Sequence, residues 1–359
     1  LDTLPGVKPV LPPTPAEVIF PVSRPGAAHD PSAPRFTVNA FQFVGNTVYT
    51  QQQLKQLTER FIDLELNLYD LNRAADTVTR LYRETGYPIA RAIIPAQKVE
   101  NGIVRIEVIE GRISTVSIVG NNRYSEQLIA SRISELSNNE IITIDRLERS
   151  LLLMNDLPGL SARATLAPGA EFGTTDMVIR AEETAIAGAV TFDNHGMKET
   201  GQLRIDAGID FNNPLGIGDQ LNIRAIKTEH ELLSYGRIGY SLPLSGNGTR
   251  LSATYSRVNY DIAGPFAALG ISGEVSNSEF LLTWPYLRSR ARNIIFGIGM
   301  RRTEASQRTL GVQTSDTRIE LLNLTVVGNW VHEDSALTNV TLALAGNGKK
   351  NPFGTRQDA

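Results

Sequence analysis

From residue 186 onward, apolar and polar residues alternate one by one. Leu203, Ile205, Ala207, Ile209 and Phe211 interleave with Arg204, Asp206, Gly208 and Asp210, and Leu221, Ile223 and Ala225 interleave with Asn222 and Arg224. A period of two describes a strand with one apolar and one polar face. The pattern returns at Ile238, Tyr240, Leu242 and Leu244, at Leu251, Ala253 and Tyr255, and at Leu322, Leu324, Val326 and Trp330. The runs are about ten residues long, the length a tilted strand needs to cross a bilayer. The pattern therefore predicts an antiparallel transmembrane β-barrel wall, with about nine strands over 186–359. Short inner turns are expected at 212–219, 245–248, 288–292 and 332–335, and longer outer loops at 262–275 and 306–316; the links at 195–200 and 229–230 are shorter.

Residues 36–183 read differently, as one β-α-α-β-β unit written twice. The first copy (36–111) opens with a β-rich run from Phe36 to Val44 and the turn Gly45-Asn46. Leu54, Leu57 and Phe61 then share a helical face. Asp70 stands as the cap before Leu71, Ala74, Val78, Leu81 and Tyr82, with Gly86 as the stop. Val104, Ile106 and Val108 alternate with Arg105 and Glu107 in the last strand. The second copy (112–183) places Val116 and Ile118 before Gly120-Asn121-Asn122. Ser125 caps Ile129, Ile133 and Leu136, and Thr143 caps Ile144, Leu147, Leu151 and Met154. Ala162, Ala164 and Leu166, then Met177, Ile179 and Ala181, form its last strands. The fold class is thus two α+β modules followed by a β-barrel. Residues 1–35 hold nine of the chain's 18 prolines and read as an extended or disordered linker.

Composition narrows the function. The net charge of −3 and the lack of basic tracts argue against nucleic acid as a partner. With no cysteine in the chain, disulfides, thiolate zinc sites and thiol catalysis are excluded. No stretch of apolar residues is long enough for a membrane helix, and no signal peptide stands at Leu1. The histidines at 29, 195, 230 and 332 have no metal spacing. Pro214-Leu215-Gly216-Ile217-Gly218-Asp219 lacks the third glycine of a dinucleotide fingerprint and reads as a turn. No catalytic residue, metal site or cofactor is expected, and the chain does not read as an enzyme.

What remains is surface for binding. Arg204, Asp206, Asp210, Asn222 and Arg224 share the polar side of two strands and are candidate pore-lining residues. Trp284, Trp330, Tyr255 and Tyr286 fall where an interfacial aromatic girdle would sit, and Arg288, Arg290 and Arg292 read as a solvated inner turn. In each module the third strand must be central, because it pairs in a hairpin with the second. The second strand, 89–94 or 160–167, is then an edge, able to accept an extended chain unless the neighbouring module blocks it. Leu160, Ser161, Arg163 and Thr165 on that edge of the second module, with Leu128 and Arg132 on a helix of the same module, are candidate cargo contacts. Proline at Thr165 is expected to remove an edge hydrogen bond.

Several stretches in order resemble the outer-membrane transporters of two-partner secretion, the hemolysin- and adhesin-secreting members of the outer-membrane assembly superfamily. In the first module they are Leu81-Tyr82-Arg83-Glu84-Thr85-Gly86-Tyr87-Pro88 and Val104-Arg105-Ile106 to Glu110-Gly111-Arg112. In the second they are Asn155-Asp156-Leu157-Pro158-Gly159, Pro168-Gly169 and Gly173-Thr174-Thr175-Asp176. At the barrel start stand Asp193-Asn194-His195-Gly196, Thr200-Gly201, Asn213-Pro214-Leu215-Gly216 and Gly218-Asp219, with Pro285 to Arg290 further on. The resemblance makes the modules POTRA domains. It implies a barrel of about sixteen strands in the bacterial outer membrane, in contact with its lipid, with the POTRA domains in the periplasm. These would capture an unfolded secreted exoprotein, and vectorial folding outside would supply the energy. An assembly factor that inserts other barrels is the alternative, though it would usually carry more modules. No plug helix precedes the proline-rich stretch, and the inward loop with a Val-Arg-Gly-Tyr-type motif is absent before Ala359. The chain therefore reads as incomplete.

Overall fold

The computed structural model describes residues 18–19, 33–134, 136, 141–171, 173–332, 334–346 and 356–357. A two-residue strand β1 (Val18–Ile19) comes first. The first module follows as β2 (Phe36–Val38), β3 (Ala40–Val44), α1 (Gln51–Thr58), β4 (Leu64–Leu66), α2 (Leu68–Glu84), β5 (Arg91–Ile93) and β6 (Ile103–Ile109). Its main sheet has the order β3-β6-β5, so the last strand is central. The expected single run from Phe36 to Val44 is divided at Asn39. Phe36–Val38 turns away to pair with β4, a strand that the sequence pattern missed. The second module comprises β7 (Arg112–Val119), α3 (Glu126–Arg132), α4 (Ile144–Asn155), β8 (Leu160–Pro168) and β9 (Thr174–Glu183). Its sheet has the order β1-β8-β9-β7.

The caps explain where the helices start. Ser125 and Thr143 accept from the backbone of Leu128 and Arg146, as their sequence positions predict. Asp70 is a correction. Asn67 is the cap of α2, and Asp70 is the third helical residue, whose carboxylate reaches back to the Asn67 N–H in a capping box. Leu71, Ala74, Val78 and Tyr82 face the core from α2, against Phe41, Phe43, Val104 and Ile106 of the sheet.

The two modules share one turn. Asn46 donates to the Tyr49 carbonyl at 2.7 Å and Asn121 to that of Tyr124 at 3.1 Å. Each turn hangs from a glutamate at the end of the central strand. Glu110 accepts from the Thr47 and Val48 N–H groups and from the Tyr82 hydroxyl, while Glu183 accepts from the N–H groups of Asn122, Arg123 and Tyr124. Burial alone would raise the Glu110 pKa, but its hydrogen bonds outweigh burial and hold the carboxyl below the ordinary glutamate value. Tyr82 is pushed up by burial and by this carboxylate partner.

Residues 186–346 form an antiparallel meander: β10 (Ile186–Asp193), β11 (Arg204–Asn212), β12 (Gln220–Thr228), β13 (Leu233–Pro243), β14 (Arg250–Asp261), β15 (Ser272–Arg288), β16 (Arg292–Thr309), β17 (Val312–Val331) and β18 (Leu337–Gly346). The loop expected at 306–316 is not there. β16 and β17 run on to a tight turn at Leu310-Gly311, both at positive φ. Above Met300 both faces of these strands are polar, so the alternation that marks a strand disappears from the sequence. A cross-strand ion pair takes its place, Arg318 of β17 with Glu304 of β16 at 2.9 Å, as Arg257 of β14 pairs with Glu274 of β15 at 2.5 Å. The stretch at 262–275 is likewise shorter as a loop, because β15 already begins at Ser272.

Candidate functional site

The phase of β8 decides what its edge can offer. In an antiparallel pair alternate residues exchange bonds with the partner, and those between them turn their N–H and C=O to the other side. The Thr184 N–H donates to the Gly159 carbonyl at 2.8 Å. The register then runs unbroken from Leu160↔Glu183 to Pro168↔Thr175. Residues 161, 163, 165 and 167 therefore bond β9, while Ala162, Ala164, Leu166 and Pro168 turn their main chain outward. Pro168 has no N–H to waste there, which is where edge strands tolerate proline. The Asn155 amide closes Ala162, accepting its N–H at 2.7 Å and donating to its carbonyl at 3.1 Å. Ala164 and Leu166 remain as the open window. β1 lies against it in parallel, with Val18 opposite Ala164 and Ile19 opposite Thr165.

This phase overturns the reading of Thr165. Its N–H lies in the ladder to Val178, so proline there would break the sheet from inside rather than trim its edge. It also shows what occupies the edge, namely the N-terminal segment rather than a neighbouring module. Leu160 is buried in the core, while the Ser161, Arg163 and Thr165 side chains stand exposed beside the window.

Leu128 and Arg132 lie elsewhere. The face of α3 that carries them is docked on the turns of the barrel, away from the β8 edge. The Arg132 side chain, 4% exposed, donates to the Gly246 carbonyl at 3.1 Å. Leu128 and Leu157 crowd Gly218, where a Cβ would lie within 3.2 Å of each, and Leu153 approaches Gly248 in the same way at 2.7 Å. Both glycines have φ above +80°, which other residues resist. The Asn213 amide donates to the Arg123 carbonyl, and Arg123 donates back to that of Asn213, both at 3.1 Å. Asn213 also accepts from the Gly218 N–H at 2.7 Å. Asp219, fully buried, accepts from the Tyr240 hydroxyl at 2.8 Å and from the Leu215 N–H at 3.2 Å. The resembling stretch around Asn213, Pro214, Gly216 and Asp219 is thus the platform on which the second module stands.

A second weld joins α4 to the turn after β15. Arg288 forks onto Asp156, Nε to Oδ2 at 2.9 Å and Nη2 to Oδ1 at 2.7 Å, and its Nη1 donates to Asn293 at 2.8 Å. The Arg290 N–H donates to Glu148 at 2.7 Å. This turn is therefore part of an interface, not the solvated cluster that its arginines suggest.

The large sheet has two unlike faces. Arg204, Asp206, Asp210, Asn222 and Arg224 share one of them, in register. Arg204 pairs with Asp193 at 2.9 Å, Arg224 with Asp206, and Asn222 donates to Asp210 at 2.5 Å. Further round, Glu279 pairs with Arg301 at 2.8 Å. Of the remaining resembling residues, Asn194 is exposed, and the Gly196 N–H closes the outer turn on Gln202 at 3.0 Å. The other face is apolar. Ile209, Ile223, Ile238 and Tyr255 stand side by side on successive strands, and Phe280, Ile298, Leu324 and Leu342 continue the band. Its members are uncovered, Leu342 at 63% and Phe280 at 60%. A patch this long greatly exceeds what a protein in water leaves bare. On β16 the apolar outward residues Ile294 to Met300 end at Arg302 above and Arg292 below. From Arg292 to Arg302 is about 34 Å of strand, or about 26 Å of height at a barrel tilt, close to an outer-membrane apolar band. At the lower rim Trp284 stacks on Phe296 at 5.6 Å, with Tyr286 edge-on at 5.8 Å.

Among the described residues no His, Cys, Asp and Glu cluster could hold a metal, and no helix is long and apolar enough to cross a membrane.

Comparison with known proteins agrees with this architecture. Residues 36–111 match the family model of the ShlB-type POTRA domain, and residues 173–339 that of the haemolysin secretion/activation proteins ShlB/FhaC/HecB. The heme/hemopexin transporter protein HuxB of Haemophilus influenzae is 28% identical over 289 residues, 79% of this chain and 51% of that protein. The outer membrane transporter CdiB of Dickeya dadantii is 27% identical over 63% of this chain and 40% of its own length. The chain thus spans about half the length of the curated relatives it matches. In fold, CdiB from Escherichia coli superposes with a TM-score of 0.70 at 20% identity, covering 91% of this chain and 62% of that one. A ShlB-type POTRA module, a second module welded to the first turns of a barrel wall, and barrel strands that match over residues 173–339 make this chain similar to the haemolysin secretion/activation proteins ShlB/FhaC/HecB.

Proposed function

We propose that this chain belongs to an outer-membrane transporter that takes an unfolded exoprotein from the periplasm and passes it outward along the polar face of its barrel. The observation that carries the reading is the main-chain window at Ala164 and Leu166, covered only by the two-residue β1 and held by two welds beside a sheet that is polar within and apolar without. An extended segment can add to that window through backbone hydrogen bonds, which need no fixed sequence. It meets β1 there and must displace it. Each new bond contributes only about 1 kcal/mol net, so capture is weak and the cargo can be handed on. No chemical step and no cofactor enter this function. The names of the relatives HuxB and CdiB are those of transporters, which favours export over assembly of other barrels.

The test is secretion of a co-expressed partner exoprotein by the complete transporter. Disulfide-locking β1 onto β8, through cysteines at Val18 and Ala164, should stop secretion until a reductant is added. Undiminished secretion with the lock formed would refute capture at this edge.

A further inference from the structure

The two modules are built alike, yet their sheet edges are not. In the first module the Gln51 amide lies along β3 as a neighbouring peptide would. It accepts the Phe43 N–H at 3.2 Å and donates to the Phe43 carbonyl. Gln97 does the same where β5 ends, accepting the Arg105 N–H at 2.7 Å and donating to the Arg105 carbonyl at 2.8 Å. The edge of β5 itself is taken by the Thr79 hydroxyl, which accepts the Ala92 N–H at 2.9 Å. In the second module the residue that follows the helix cap, as Gln51 follows Thr50, is Glu126, whose carboxylate has no N–H to donate. Only Asn155 acts there as the glutamines do, at Ala162, and its amide is itself steadied by the Leu151 carbonyl at 2.9 Å.

We propose that Gln51, Gln97 and Asn155 are specificity residues that stand in for a neighbouring strand, closing every edge position they touch and, on β8, confining strand addition to Ala164 and Leu166. This deepens, and rests on, the capture reading above. A primary amide is the one side chain that presents a donor and an acceptor at peptide spacing, so it satisfies an edge without extending it. Asn155 at one end and Pro168 at the other limit the window to two outward residues. A bound chain therefore gains few bonds, its register is fixed by the Asn155 stop, and the first module does not compete for it by the same chemistry. The register of the seated β1 fits this, with Val18 opposite Ala164.

Backbone hydrogen exchange on the full chain in detergent micelles tests this. Ile19→Pro vacates the window by removing the N–H that β1 presents. The probe is a synthetic peptide of residues 14–22, Thr-Pro-Ala-Glu-Val-Ile-Phe-Pro-Val. With Ile19→Pro alone, the peptide should slow exchange at Ala164 and Leu166 and leave Phe43, Arg105 and Ala162 unchanged. Adding Asn155→Leu should spread protection to Ala162 and tighten the peptide about tenfold, and adding Gln97→Leu should create protection at Arg105. Asn155→Asp and Gln97→Glu, which lose only the donor, serve through peptide affinity if a leucine variant fails to fold, as judged by exchange at Val104 and Ile179. Protection at Phe43 or Arg105 before any amide is removed, or an unchanged footprint and affinity after removal, overturns the role of the amides while leaving capture at β8 intact. Absence of protection anywhere on β8 overturns the capture reading and this inference together.

Discussion

The weld between Arg288 and Asp156 gives the clearest quantitative expectation. The arginine side chain is 7% exposed and its partner 40%, so the pair is neither fully screened nor fully buried. Two charge-assisted bonds in fork geometry, discounted for the half-exposed carboxylate, contribute about 2–3 kcal/mol to docking. Arg288→Met keeps the packing of the stem and removes the fork. The ratio of docked to undocked second module should then fall about 30- to 150-fold. Spin labels at Ser161 and Leu215 report docking as a distance, followed through a urea titration. Arg288→Met and Asp156→Asn should each lower the docking midpoint, and together by little more than one alone. A double-mutant coupling under about 0.3 kcal/mol would show that the two residues act independently and refute the weld.

Other expectations follow from the same structure. The Glu110 carboxyl is held below its unfolded value of 4.5, so its stabilisation is present above that pH and lost as pH falls through the folded value. Glu110→Gln should lower the melting temperature at pH 7 and flatten the acid limb of the stability curve, as calorimetry can show; an unchanged acid limb would contradict this. Thr165→Pro should unfold the second module, with loss of exchange protection across β9, instead of sparing the fold and weakening capture. Gly248→Val, which drives a Cβ branch against Leu153 and Pro285, should loosen the module from the barrel, seen as a broadened Ser161-to-Leu215 distance.

Much of this was legible in the sequence, because two periods dominate the chain. The α2 face from Leu71 to Tyr82 and the alternation from Ile205 to Phe211 each carry one strong periodic signal. The centrality of β6 and β9 followed from hairpin logic alone. What stayed hidden lacked such a signal. The upper parts of β15, β16 and β17 are polar on both faces, so strand looked like loop. Asp70 and Asn67 are both good caps, and only the backbone geometry separates the cap from its box partner. Arg288 and Arg132 read as solvated or cargo-facing because their partners, Asp156 and Gly246, lie 132 and 114 residues away. The outward phase of β8 depends on one bond, from Thr184 to Gly159, which no local pattern encodes.

The sidedness of β11 offers the most direct check on the whole account. Nitroxide labels placed singly from Arg204 to Phe211 in the protein reconstituted in phospholipid bilayers would report collision with oxygen, which partitions into lipid, and with a water-soluble nickel chelate. Labels at Ile205, Ala207, Ile209 and Phe211 should favour oxygen, and those at Arg204, Asp206, Gly208 and Asp210 the chelate. A reversed phase, or no two-residue period at all, would contradict a membrane-spanning wall with a wet interior.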